Sequence, residues 1–454
     1  MVQYCSYKPL HILQINGGKE GDALKQQATS YHAQGRVRTH IYNTMSKLGF
    51  TNLPFQIYVL LIISLLFSIG RNIAFPYLAM YLTGDKTLRG LEIDPTLVGF
   101  MIMVGGLANI FALPATGSLC DRFGRRKMML SFMIPQIVLT AGYAYASKFQ
   151  EFLLLYVIMG IMSAFYDPAY SSMVADLVQP NRREEVYGLS YMIANIGTII
   201  SPLIGGVVAS TNGYAILFIY ATIFTAICAA IILLLIKESY PKEESKKTTM
   251  SQFAKIFKDR IFILFCLTGA LTNIVYSQLY GLLSIYTEYV GLQPYVFGTL
   301  FSVNGAMVVA LQIPIRKAAV KIGSTKSFVI AQLLYAAGFT YFMLSKDFLQ
   351  FLIGVIVLTL GEITFFPASS GFIADLSPAD MRGRYMALTG LFFGIGGSVG
   401  SLIGFRLYAT LLKKELTWGI LGAIGFATMP GYLYLLKADK RKARNSAVDT
   451  PKIK

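Results

Sequence analysis

The chain has 454 residues, of which 55% are hydrophobic and only 14% are charged, and its mean hydropathy is +0.56. A water-soluble protein of this size needs more charge to keep its surface hydrated, so the composition excludes a soluble globular domain and indicates a membrane protein. The formal net charge of +17 would by itself suggest nucleic-acid binding. The distribution of that charge along the chain excludes this interpretation.

Residues 1–54 are polar and basic without apolar periodicity, so we expect a disordered cytoplasmic tail. Twelve apolar segments follow. The length of each is close to or above the roughly 20 residues that cross the hydrocarbon core of a bilayer. Because lipid offers the backbone no hydrogen-bond partners, each segment is predicted to be a helix. We number them segment 1 to segment 12: residues 55–82, 95–119, 128–147, 151–177, 187–210, 214–236, 261–290, 295–316, 328–345, 348–376, 385–411 and 417–437.

Lys and Arg are divided unevenly between the two sides of the predicted membrane. The tails and the turns after even-numbered segments hold 32 of the 40 Lys and Arg residues, the opposite loops hold six, and Arg71 and Arg406 lie within segments. Cytoplasmic loops of membrane proteins carry such an excess, which predicts that both termini are cytoplasmic. We therefore expect a multi-pass protein of the plasma or inner membrane that contacts anionic lipids and no nucleic acid.

The segments fall into two related sets. Residues 237–260 are the long polar interruption after segment 6. Residues 168–205 align with 367–404 at an offset of 199, and 13 of the 38 positions are identical. The identities include Pro168 with Pro367, Asp176 with Asp375, and Arg183 with Arg382. Such duplication predicts an all-α membrane protein of twelve transmembrane helices in two six-helix pseudo-symmetric halves, with substrate near the midplane between them.

The predicted organisation is therefore simple. A tail precedes the N-terminal half, a cytoplasmic linker joins it to the C-terminal half, and a basic tail follows. In order, these units are residues 1–54, 55–236, 237–260, 261–437 and 438–454.

The turn after segment 2 reads Gly117-Ser-Leu-Cys-Asp121-Arg122-Phe-Gly124-Arg125-Arg126-Lys127. Its glycines allow a tight turn, and its cations favour the inner interface. The turn resembles the motif between helices 2 and 3 of the major facilitator superfamily, an ordinary basic turn being the alternative. The resemblance implies a transporter whose cytoplasmic gate is locked by this turn. The equivalent turn of the second half keeps Gly323 and Lys326 but lacks the aspartate, so we expect an asymmetric lock. The implied gate residues are Gly117, Asp121, Arg122, Gly124, Arg125, Arg126, Asp176, Arg183, Asp375 and Arg382.

Two further segments are similar to the twelve-helix drug:proton antiporter branch of that superfamily. Segment 5 carries a motif similar to that branch's fifth-helix motif, with Ser201 in place of one glycine; close helix packing alone is the alternative. Its motif residues are Gly197, Pro202, Gly205 and Gly206. Segment 10 places Glu362 before Pro367, as multidrug efflux members do. Segment 4 departs from the branch, because Tyr156 stands where its proton-transfer arginine is expected.

Ionisable residues within apolar segments are the candidates for the transport site. Glu362 lies half-way along segment 10 and is predicted to carry the proton, a permanently protonated structural glutamate being the alternative. Asp167 and Arg71 are predicted to shape the cavity, and a direct pair would make them structural. Tyr276 and Tyr280 on segment 7 could bind flat cationic compounds or only pack the core.

We therefore predict a secondary transporter that works by alternating access and exports small amphiphilic or drug-like compounds in exchange for protons. No cofactor or metal is expected, and a monomer is expected to suffice. The alternatives are uptake of a sugar, organic acid or other metabolite, with Arg71 binding a carboxylate, and a non-transporting membrane sensor on the same fold. An enzyme is a third class, which is disfavoured because no nucleophile–base pair, metal cluster or phosphate loop occurs in the sequence.

Overall fold

The computed structural model describes residues 53–86, 90–239, 256–378 and 381–448, without the side chains of residues 117, 118, 121, 181, 184 and 439–448. Most of the predicted tail 1–54 and of the linker 237–260 lies outside the described residues. The described residues from Val59 onward form one compact unit. Of the preceding unit, Met1–Tyr58, residues 53–58 are described, and they contain the start of the first helix.

Regular structure in the described part of the chain is helical, and no strand occurs there. We call the helices before the predicted linker the first group and those after it the second group. The first group comprises α1 (Phe55–Ala74), α2 (Leu78–Thr83), α3 (Pro95–Phe123), α4 (Arg125–Tyr145), α5 (Phe149–Ser163), α6 (Tyr166–Leu177), α7 (Arg183–Asn212) and α8 (Ala215–Leu235). The second group comprises α9 (Arg260–Tyr276), α10 (Leu282–Tyr289), α11 (Pro294–Ile322), α12 (Ser324–Phe342), α13 (Phe348–Leu376), α14 (Arg382–Thr410), α15 (Leu416–Ala427) and α16 (Met429–Val448).

Eleven helical stretches of the described chain are long and apolar enough to cross a membrane, and they overlap eleven of the twelve predicted segments. Segment 9 is the exception: it folds as the 19-residue helix α12, which is not among the eleven. The reason lies in its sequence. α12 begins with Ser324-Thr-Lys-Ser327 and carries the buried Gln332, so its polar residues lower the hydropathy of the whole helix.

Four predicted segments are interrupted within the membrane span: segment 12 between α15 and α16 at Thr428, and three segments that border the cavity described below. Segment 1 is interrupted by the 3₁₀ turn Phe75–Tyr77, segment 4 between α5 and α6, and segment 7 by the 3₁₀ turn Ser277–Leu279. Pro76 and Pro168 contribute to the interruptions of segments 1 and 4, because proline lacks the amide hydrogen that a helix requires. Irregular backbone at membrane depth is tolerated where it lines a cavity. The interruptions of segments 1, 4 and 7 lie beside the cavity, and no residue of segment 12 lines it.

The two helix groups approach each other most closely at one end. There an added Cβ on Gly206 would meet Tyr295, and one on Gly99 would meet Phe405. The Tyr214 hydroxyl, at the start of α8, donates a hydrogen bond of 3.2 Å to Glu288 on α10. Toward the opposite end, an added Cβ would meet no described atom within 4 Å at Gly188, Gly383 or Gly390. The end that carries the motif turns is therefore the more open of the two at these positions.

The internal repeat appears again in the backbone geometry. The guanidinium of Arg183 donates to the Ala175 carbonyl at 2.7 Å, and that of Arg382 donates to the Ala374 carbonyl at 3.0 Å. Both bonds stabilise the C-terminal end of a helix, where carbonyls lack intrahelical partners. Gly124 and Gly323, also 199 residues apart, have positive φ angles of 89° and 94°. Only glycine adopts such angles readily, so both turns require it.

Candidate functional site

A cavity of about 590 Å³ lies between the two helix groups. Ligand pockets of proteins typically enclose roughly 300–1,000 Å³, so a drug-sized molecule fits this one. Residues of α1, α6 and α7 line it from the first group, and residues of α11 and α13 line it from the second. Four residues predicted for the site are in its wall: Arg71, Asp167, Tyr280 and Glu362.

Glu362 is half-buried on α13 and faces the cavity. The side-chain amide of Asn304, buried on α11, donates to Oε2 of Glu362 at 2.9 Å and to the Thr359 hydroxyl at 2.9 Å. Tyr276 interacts with the same carboxyl group from α9. Glu362 is thus held in position by neighbouring helices, and its position in the cavity wall gives it access to a ligand.

The two predicted tyrosines lie together beside this carboxyl group. The hydroxyl groups of Tyr276 and Tyr280 are 2.6 Å apart, and their rings are nearly perpendicular with centroids 5.6 Å apart. Tyr276 also contacts Tyr335, and Tyr280 contacts Phe301. Tyr280 is 40% exposed, so its ring is available to a ligand in the cavity. Aromatic faces of this kind attract organic cations.

Arg71 and Asp167 face the cavity from α1 and α6 and are both exposed to it. They interact electrostatically, but no guanidinium nitrogen of Arg71 lies within 4.0 Å of a carboxylate oxygen of Asp167, so they form no direct ion pair. Neither side chain makes a hydrogen bond to any other residue that the structure describes. Arg71 and Asp167 therefore attract each other without direct contact. The open cavity lets each charge retain water, so a direct contact is not needed.

Tyr156, the residue that departs from the antiporter pattern, also lines the cavity. It interacts electrostatically with Arg71. The cavity thus contains an arginine close to Tyr156, supplied by α1 instead of by segment 4.

Asn304 was not predicted from the sequence. A single asparagine in an apolar segment gives a weak signal, because it can also serve helix packing. The available signal was its place in the sequence Val303-Asn304-Gly305, where a small neighbour accompanies a polar residue. The buried Tyr335 was also missed, since nothing distinguishes it from other core aromatics.

Gate residues predicted from the sequence meet at the open end. Arg125 Nε is 3.1 Å from Asp176 Oδ2, and the two side chains are only 11% and 16% exposed. Two residues of the predicted linker join this pair: Glu238 accepts from the Arg125 amide at 2.8 Å, and the Ser239 hydroxyl donates to Asp176 at 3.0 Å. The linker contacts were not predicted, because the path of a polar linker cannot be inferred from composition.

The other predicted gate residues have separate surroundings. Arg126 donates to the Leu233 carbonyl at 2.6 Å, and Arg122 lies over the ring of Phe123. The side chains of Gly117 and Asp121 lie outside the described part of the chain. Asp375 is exposed and has no ion pair with a described residue. The Arg125–Asp176 pair therefore has no counterpart at Asp375 within the described residues.

The motif on α7 provides close helix contacts. A Cβ on Gly197 would meet Ser68, and one on Gly205 would meet Ile73, both on α1. The Pro202 carbonyl accepts a hydrogen bond from the Tyr77 hydroxyl. Gly206 lies against the start of α11 at Tyr295. Small residues let helices approach closely, so this motif sets the position of α7 against both helix groups.

A scan against family models gives a decisive match. The model described as Major Facilitator Superfamily matches residues 60–313 and 274–453. The chain belongs to the Major Facilitator Superfamily. It is therefore a multi-pass membrane transporter, and its relatives are transporters and not enzymes.

Curated relatives share about a quarter of their residues with this chain. It is 25% identical over 415 residues to a "Na(+), Li(+), K(+)/H(+) antiporter" of Planococcus maritimus, which covers 82% of this chain and 93% of the relative. It is 25% identical over 384 residues to "Multidrug resistance protein MdtH" of Salmonella arizonae, covering 82% and 91%.

Solved structures are similar in fold. The peptide transporter POT, solved in complex with sulfate, superposes with a TM-score of 0.73 at 16% identity, and the match covers 87% of this chain and 96% of that one. The nucleoside transporter NupG superposes with a TM-score of 0.73 at 13% identity, covering 84% and 99%. These similarities establish the fold alone.

Proposed function

We propose that this protein exports small amphiphilic compounds in exchange for protons, with Glu362 as the residue that binds the exchanged proton. The observation that carries the proposal is the position of Glu362 in the cavity wall, held by Asn304. A carboxyl group that a ligand can reach can release its proton when a cationic compound binds. Antiport results if the two cannot occupy the site together.

The comparisons support this direction of transport. Two relatives are named as an antiporter and as a multidrug resistance protein. Tyr280, which lines the cavity, and its neighbour Tyr276 suit flat organic cations better than sugars. Arg71 takes the place of the segment-4 arginine and, with Asp167, shapes the field in the cavity.

The proposed topology is twelve membrane-spanning helices in two pseudo-symmetric halves, residues 55–236 and 261–437, with both termini in the cytoplasm. α12 is the proposed twelfth span. Its 19 residues reach about 28 Å at a rise of roughly 1.5 Å per residue, close to the thickness of the hydrocarbon core. In this topology the cavity is open to the cytoplasm, and the protein acts as a monomer in the plasma or inner membrane.

The gate follows from the same topology. The Arg125–Asp176 pair and the turn 117–127 hold the cytoplasmic ends of α3, α4 and α6 together, and rocking of the two halves alternately opens each end of the cavity. Asp121 is proposed to act in the same gate, as its place in the sequence motif implies. Uptake of a metabolite is the second candidate function, and the observation that favours it is the exposed Arg71, which can bind a carboxylate.

Proteoliposomes containing the purified protein test the proposal. Flux of a panel of amphiphilic amines, sugars and organic acids is measured with an imposed pH gradient and after the gradient has been collapsed with nigericin. We expect gradient-driven movement of amines toward the more acidic side that exceeds their passive movement in protein-free vesicles. Movement that is independent of the gradient, or flux of sugars alone, would contradict proton-coupled efflux.

A further inference from the structure

We infer that the cavity binds amphoteric compounds, which carry an anionic group at one end and a protonated amine at the other. The inference rests on the proposed function and names its substrate class. Arg71 is assigned to the anionic end and Glu362 to the amine, with the aromatic residues between them contacting the body of the compound.

The anionic end follows from the state of Arg71. Its guanidinium carries five donors, lines the cavity, and has no hydrogen bond or direct ion pair with any described residue. Asp167 attracts it without touching it, so the donors remain available. A guanidinium matches a carboxylate with two parallel hydrogen bonds, which makes a carboxylate the best-suited ligand group.

The amine end follows from the contacts of Glu362. Asn304 and Tyr276 occupy part of its acceptor capacity, and an ionised carboxylate can accept about four hydrogen bonds in all. A protonated amine can bind where the carboxyl proton was. The amine and the proton therefore compete at Glu362, while binding of the carboxylate at Arg71 involves no proton.

The same cavity is lined by aromatic residues. Tyr280 interacts electrostatically with both Arg71 and Glu362, so it links the two charged ends. Tyr191, which is 52% exposed, and Phe301 line the same cavity. A purely cationic amphiphile would satisfy Glu362 and leave Arg71 with water only. A compound with both charges satisfies both ends.

A matched pair of dyes tests this. Rhodamine 110 carries a carboxylate and a protonated nitrogen cation with N–H donors, and its methyl ester, rhodamine 123, keeps the cation alone. Binding of each dye to the purified protein is followed by fluorescence anisotropy, without a gradient. We expect wild type to bind the acid at least about tenfold more tightly than the ester, because a charge-assisted bidentate contact is lost in the ester.

Arg71→Gln should abolish this preference while ester binding persists, and Arg71→Lys should keep part of it. Arg406→Gln is the control: Arg406 is also exposed within a helix but does not line the cavity, so the preference should remain. Equal binding of both dyes by wild type, no binding of either, or an acid preference that survives in Arg71→Gln would overturn the inference.

The two hypotheses fail in different ways. Gradient-driven flux of the ester with no preference for the acid would reject the amphoteric substrate and leave proton-coupled export intact. Acid preference that depends on Arg71, without any response of flux to a pH gradient, would support the substrate class and reject proton coupling.

Discussion

Single residues in the cavity differ in how well the sequence could predict them. Arg71, Asp167 and Glu362 are charges in apolar segments, which stand out because their burial in lipid is costly. The structure places all three in one cavity wall. Asn304 could not be recognised in this way, since an uncharged amide in a helix is compatible with simple packing. Its importance depends on the distance to Glu362, which only the fold defines.

Asn304→Leu removes the amide that donates to Glu362 and preserves side-chain size. A hydrogen bond to a charged group contributes about 1.5–3 kcal/mol, so we expect gradient-driven flux to fall by about tenfold or more. Asn273→Leu is the control, because the Asn273 amide donates to the Gly269 carbonyl of its own helix and does not line the cavity. Equal flux in the two variants, at matched amounts of protein in the vesicles, would contradict the role of Asn304.

At the scale of helices, the apolar pattern predicts twelve segments, because lipid imposes both their length and their composition. The structure describes a helix at each of them, and eleven are long and apolar enough to cross a membrane, whereas the polar start of α12 lowers its hydropathy. Interruptions at Pro76 and Pro168 could be expected from proline, whereas the turn at Ser277–Leu279 contains none. Contacts between helices distant in sequence, such as α7 with α11, depend on packing that a single sequence does not reveal.

Asp176→Asn removes the negative partner of Arg125 at the cytoplasmic end. The pair is mostly buried. The stabilisation free energy lost with it should therefore lie above the about 1 kcal/mol of an exposed ion pair and below the about 3–5 kcal/mol of a fully buried one. We expect slower flux with unchanged dye binding, because the pair affects the equilibrium between conformations. Glu185→Gln disrupts the more exposed pair with Arg182 and should leave flux nearly unchanged. The gate role is wrong if both variants transport alike.

Gly298→Ala tests the close contact of α7 and α11. The new Cβ would meet the Pro202 carbonyl and the Tyr77 hydroxyl, neither of which is the flexible end of a long side chain. Overpacking costs about 1–3 kcal/mol, so the ends of the two helices should separate and flux should fall several-fold. Gly188→Ala on α7 meets no described atom and serves as the control. Flux and the thermal unfolding temperature are measured for both variants. If Gly298→Ala has the same flux and unfolding temperature as wild type, the contact between α7 and α11 is not important.

For the whole molecule, the sequence repeat at an offset of 199 residues predicts equivalent features at equivalent positions. The bonds from Arg183 and Arg382 and the turns at Gly124 and Gly323 agree with it. Substrate and coupling ion depend instead on which side chains the fold brings into one cavity. The charges could be recognised in the sequence, but their separation and the absence of a direct Arg71–Asp167 pair could not.

The most direct test of proton exchange at Glu362 is flux through Glu362→Gln in proteoliposomes, with and without a pH gradient. Glutamine keeps a hydrogen-bonding side chain but cannot release a proton. We predict that net flux loses its response to the gradient, while exchange of labelled for unlabelled substrate continues. A Glu362→Gln variant whose net flux responds to the gradient as fully as wild type would contradict the account, and Asp167 would then be the next candidate.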